Sequence, residues 1–110
     1  MKEDELLKIV KQEARNGHIS RAVGLLQNEI DQGTTTYAMY SNLAALELQR
    51  GNTNTSTHHS THAITLDPYS HIAYYNRFLA RLKSHPELAY RDIKKGLSCL
   101  YVLRGFEIQE

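Results

Sequence analysis

Cysteine is almost missing from this chain. Cys99 stands alone, so no internal disulfide can brace the fold and nothing demands an oxidising compartment. A surplus of either charge is missing too: 13 basic residues face 12 acidic ones, for a formal net charge of +1. Such a balance gives no long-range field to draw nucleic acid or anionic lipid. No apolar run approaches the ~20 residues that span a bilayer. Met1-Lys2-Glu3-Asp4-Glu5 also lacks the basic start and apolar stretch of a signal peptide. These absences predict a cytoplasmic protein with no membrane association, and they make Asn54-Thr55-Ser56 an accidental match to a glycosylation acceptor. Motifs that carry chemistry are absent as well, with no Gly-rich phosphate loop, G-x-S-x-G, HExxH or CxxC. No enzyme, catalytic residue, metal or cofactor is therefore expected.

What is present is a period. A shift of 34 residues carries Tyr40 onto Tyr74, Asn42 onto Asn76 and Leu66 onto Leu100; the reverse shift carries Gly51 onto Gly17 and Leu43 onto Ile9. A repeat of this length signals an array of helix pairs, none of which can bury its apolar face alone. At 110 residues the chain forms one domain. Its repeats run over about 3–36, 37–70 and 71–104, with a short tail at 105–110.

Apolar spacing places the helices. Leu6, Leu7, Ile9, Val10 and Ala14 mark one face of the first, whose initial turn carries Glu3, Asp4 and Glu5 against the helix dipole. Asn16-Gly17 ends it, since glycine takes the left-handed conformation at little cost. Ile19, Ala22, Val23, Leu26 and Ile30 line the second helix, closed by Gln32-Gly33. Thr34-Thr35-Thr36 offers caps for a third helix over 37–50, with Tyr40, Leu43, Ala44 and Glu47 or Leu48 inside. A fifth, over 70–84, presents Ala73, Tyr74, Phe78, Leu79 and Leu82. A sixth starts at Pro86 and runs to about 104 through Ala89, Ile93, Leu97, Leu100 and Leu103, stopped by Gly105. Here the spacing shortens by one residue, because Ala89 and Leu97 align with Ala22 and Ile30 only at 67.

The fourth segment, 53–62, is anomalous. Positions aligned with Ile19, Ala22, Val23 and Leu26 are Thr53, Ser56, Thr57 and Ser60, so every expected apolar contact is a small hydroxyl. Such residues cost roughly 0.4–0.7 kcal/mol each relative to alanine in a helix, which makes this the expected weak point of the array. His58 and His62 stand one helical turn apart with His59 beside them. No cysteine or carboxylate lies within the segment to complete a metal shell, so a solvated polar face is expected there.

These marks resemble the tetratricopeptide repeat (TPR). The middle repeat matches through Tyr40, Asn42-Leu43-Ala44, Gly51, Ala63 and Leu66-Asp67-Pro68. The third matches through Ala73-Tyr74-Tyr75-Asn76, Ala80, Ala89 and Leu97, and the first through Gly17, Ala22 and Leu26. The resemblance implies an all-α fold: a right-handed superhelix of three antiparallel helix-turn-helix repeats, whose concave surface, lined by the first helix of each pair, holds a protein or peptide. One TPR subgroup binds acidic chaperone tails through a clamp of lysines, asparagines and an arginine. Its positions fall here on Leu7, Lys11, Asn42, Ile72 and Asn76, and only Asn42 keeps the residue type. Chaperone-tail binding is therefore not expected.

The resemblance instead implies a mixed, rather apolar peptide-binding groove using Lys11, Asn42, Gln49, Tyr75, Asn76, Leu79 and Lys83, in a non-enzymatic interaction adaptor. Capping or bridging of neighbouring helices is the plainer reading of Asn42 and Asn76. A second functional reading is a self-associating structural module, a homodimer through the C-terminal helix, since Leu97, Leu100, Tyr101, Val102, Leu103, Phe106 and Ile108 crowd that end. RNA binding ranks third, on the basic cluster Arg91, Lys94, Lys95 and Arg104, which lacks interleaved aromatics.

Overall fold

Helix starts recur with the expected period. A computed structural model of the chain describes residues 2–103, leaving aside the side chains of 102 and 103. It contains α1 (Glu3–Arg15), α2 (Ile19–Asp31), α3 (Tyr37–Gln49), α4 (Thr53–Leu66), α5 (His71–Arg81) and α6 (Pro86–Leu103), with no strand among the described residues. The odd helices begin at 3, 37 and 71, each 34 residues apart. The even ones begin at 19, 53 and 86, so the last interval is 33. The expected stop at Gly105, and the patch residues Phe106 and Ile108, lie outside the described residues.

The repeat extends to the chemistry of the turns. Gly17 and Gly51 both adopt left-handed φ, at 82° and 81°. The next residue folds its N–H back in each case, from His18 to the Glu13 carbonyl at 2.8 Å and from Asn52 to the Glu47 carbonyl at 2.9 Å. Its side chain then reaches the carboxylate of that same glutamate, at 2.8 Å for His18 and 2.9 Å for Asn52. Orphan carbonyls at both helix ends are satisfied by one 34-residue pattern. The N-termini repeat likewise: Thr36 Oγ1 accepts from the Met39 N–H and Ser70 Oγ from the Ala73 N–H. Each cap also joins neighbouring repeats, since Thr36 donates to Glu3 at 2.7 Å and Ser70 pairs with the Tyr37 hydroxyl.

Turns of three or four residues fold each even helix back on the odd helix before it. Close packing joins α1 with α2, α3 with α4 and α5 with α6, while α2 meets α3, α4 meets α5, and α3 lies directly against α5. Leu6, Val10, Ala22, Leu26, Met39, Leu43 and Leu46 form one buried cluster across α1, α2 and α3. Full burial of a side chain the size of Leu or Met contributes about 1.5–3 kcal/mol. In the last pair the approach is close enough that a Cβ on Gly96 would come within 3.2 Å of the Tyr74 Cβ.

Three expectations are corrected. Ile9 is 40% exposed, because Leu6 and Val10 take the inward positions of α1 and leave Ile9 on its outer side. Leu82 is 47% exposed, since α5 ends at Arg81 rather than Ser84 and Leu82 already belongs to the turn. Tyr40 is half-buried rather than interior, its ring stacked on His62.

The hydroxyl-rich segment does form a helix. Ser56 and Ser60 are wholly buried where α2 has Ala22 and Leu26. Ser56 Oγ donates to the Ala44 carbonyl at 2.8 Å, tying α4 to α3. Thr57, Thr61 and Thr65 donate down their own helix to the carbonyls of Thr53, Thr57 and Thr61, at 2.9, 2.8 and 3.0 Å. Their hydroxyls are thus satisfied locally, the arrangement that makes threonine mildly unfavourable within helices. Ser60 Oγ is buried with no hydrogen-bond partner among the described residues.

Candidate functional site

A helix presents an outer row through residues three, four and seven apart, and α5 carries an apolar one in Ile72, Tyr75 and Leu79. Ile72 and Tyr75 are each about half-exposed, Leu79 is half-buried and Lys83 is exposed. Tyr75 stacks on Phe78 at 6.2 Å between ring centres, which steadies a large amphipathic ring at the surface. On the adjoining α3, Ala45 is half-buried and Gln49 exposed. Asn42 donates to the Ala38 carbonyl of its own helix at 2.8 Å. Asn76 is 8% exposed, and its amide donates across to the Ser41 carbonyl at 3.5 Å.

The seven expected residues therefore divide. Tyr75, Asn76 and Leu79 share α5, with Lys83 in the turn after it and Asn42 and Gln49 on the helix packed beside it. Lys11 is exposed on α1, whose close packing is with α2. Asn76 bridges α5 to α3, in accord with its plainer reading, whereas the Asn42 amide stays on a carbonyl of its own helix and bridges nothing among the described residues. Lys11, Gln49, Tyr75 and Lys83 are the members open to solvent.

Two polar constellations take their shape only from the fold. Asp92 is 3% exposed. Arg77 grips it with two nitrogens, Nε at 3.1 Å and Nη2 at 2.8 Å, and Arg81 adds Nη1 at 2.9 Å. Arg77 also reaches the Thr61 hydroxyl at 3.2 Å, so one guanidinium binds α4, α5 and α6 together. A bidentate fork of this kind adds geometric specificity to charge. At 33 residues' shift Asp92 stands on His59, and at 34 Arg77 stands on Leu43, so no single period reveals the pair.

The second constellation lies between α3 and α4. Tyr40 stacks on His62 at 4.7 Å, His62 meets His58 edge-on at 4.9 Å, and His59 lies 6.0 Å from Tyr40. Burial holds the His59 imidazole below its ordinary pKa; His58 and His62 add to this while Glu47 opposes it. His59 Nδ1 is buried without a hydrogen-bond partner among the described residues. The spacing of 58 and 62 was visible in the sequence, but the stack on Tyr40 required the fold.

Elsewhere the surface is shallow. Pro86, Glu87, Tyr90, Arg91 and Lys94 surround an open depression on α6. Cys99 is buried, its Sγ 3.9 Å from the Pro68 carbonyl. Among the described residues no three His, Cys, Asp or Glu side chains converge as a metal cage, and no helix is long and apolar enough to cross a membrane. Comparison of the chain with protein-family models and with curated proteins found no match.

Proposed function

We propose that this chain is a non-enzymatic interaction module: three TPR-like helix pairs in a right-handed superhelix, with the odd helices α1, α3 and α5 lining a concave face that takes an extended or helical segment of another protein. The carrying observation is the α5 row, where Ile72 and Tyr75 stand about half-exposed, with Lys83 exposed in the turn that follows. Rigid aromatic anchors beside adaptable polar groups are the usual makings of a peptide-recognition surface. Tyr75 and Leu79 supply apolar contact, Gln49 offers amide hydrogen bonds, and Lys11 and Lys83 supply charge. Asn76 ties α5 to α3, the two helices that carry most of those groups. The reading places the protein in the cytoplasm.

The test compares what the intact chain and a Tyr75→Ala, Lys83→Glu variant retain from an extract of the source cell. Loss of a retained protein in the variant, with its helical circular dichroism unchanged, supports groove binding. Equal retention argues against it.

Self-association through α6 is the second reading, favoured by Tyr90 at 65% and Leu97 at 46% exposure on the last helix. Light scattering across a hundredfold range of concentration separates the two, since a strict monomer removes the dimer.

A further inference from the structure

We propose that His58 and His62 form a two-histidine chelate for a divalent transition ion of the copper, nickel and zinc class, closing one turn of α4. The two lie four residues apart on one face of the helix, and both are exposed. Their ring centres are 4.9 Å apart, at 62°. Metal–nitrogen bonds of about 2.1 Å, with each ring centre ~1.2 Å behind its nitrogen, put two imidazoles on one ion about 4.7–5.4 Å apart for angles between ~90° and ~110°. The observed separation falls inside that window. The nitrogens are brought to face one ion through χ2, a broad torsion for imidazole.

The surroundings favour this pair over the other histidines. His62 is held by its stack on Tyr40, so one ligand is already oriented. Among the described residues no group hydrogen-bonds either ring, whereas His18 is bound to Glu13 and His85 to Ser84. His59 faces Tyr40 with Nδ1 buried, and takes no part. Imidazole suits copper, nickel and zinc rather than magnesium or calcium, and affinity should run highest for copper. Water would fill the remaining positions, as two protein ligands leave the shell open.

Occupancy would have a structural consequence. The chelate spans the turn enclosing Ser60, the place where α4 carries a serine instead of the leucine of α2. An ion bound only by the folded helix stabilises it by mass action. Metal would thus supply, at the middle pair, part of the holding force that its hydroxyl-lined interior lacks.

The experiment is thermal unfolding of the intact chain with Zn²⁺ or Ni²⁺ at pH 7.5, against the same chain in a chelator and in Mg²⁺. A rise in Tm of about 5 °C is expected once the free ion exceeds its dissociation constant tenfold. His58→Ala, which removes one exposed ligand and leaves the Tyr40 stack intact, should abolish the rise, and His85→Ala should retain it. A rise that survives both His58→Ala and His62→Gln overturns the proposal, as does no rise in the parent chain.

Discussion

Arg77 and Asp92 meet through two nitrogens and both carboxylate oxygens, on helices separated by the four-residue turn at 82–85. The carboxylate is almost wholly buried, and the guanidinium is largely so. A second cation, Arg81, completes the arrangement. Two buried positive groups around one negative group leave little tolerance for loss of the anion. Replacing it would strand both arginines at the packing surface between α5 and α6.

Asp92→Asn should therefore destabilise the chain by about 3–5 kcal/mol, the cost of breaking a buried pair from one side. Urea unfolding of the variant and the parent measures this. A loss under ~1 kcal/mol would mean that the charges are solvated and hold nothing.

Ser60 and Ser56 make opposite cases of one residue type. Both are fully buried, but Ser56 has the Ala44 carbonyl and Ser60 has no partner. An unsatisfied buried hydroxyl costs about 1–3 kcal/mol, and alanine is also the better helix former. Ser60→Ala should raise stability by ~1 kcal/mol or more, whereas Ser56→Ala should gain less or lose. The two midpoints in one denaturant series decide; equal shifts would contradict the distinction.

His59 sets the direction of pH dependence. Its folded pKa lies below the unfolded value of about 6.5, so the unfolded chain takes up the proton first as pH falls. Its contribution is fully present above pH ~6.5 and is lost as pH drops through that value toward the lower folded pKa. With a chelator present, Tm should fall between pH 7.5 and 5.5, and His59→Gln should flatten the slope. An unchanged slope in that variant would place the titration elsewhere.

Much of the fold was legible because its signals are local. Gly17, Gly51 and Pro86 mark turns by their own backbone preferences, and the one-residue contraction of the last interval was readable from Ala89 and Leu97 alone. The contacts between elements were not. Nothing in the string pairs Arg77 with Asp92 or Tyr40 with His62, since each pair spans a helix junction and neither obeys the period. The expected weakness of 53–62 was visible, yet the means by which α4 is held, a serine hydroxyl on Ala44 and a threonine on Arg77, emerged only from packing. For the groove, sequence register placed Asn76 among contact residues, while its burial assigns its amide to the Ser41 carbonyl.

The most direct test of the proposed role uses a photoreactive phenylalanine analogue in place of Tyr75 and, in a second protein, in place of Leu97. Illuminated in extract of the source cell, the Tyr75 position should cross-link to a different polypeptide, and the adduct should diminish when Lys83 is changed to Glu. Cross-linking from the Leu97 position alone, and only to a second copy of the chain, would contradict the groove and leave α6 as the working surface.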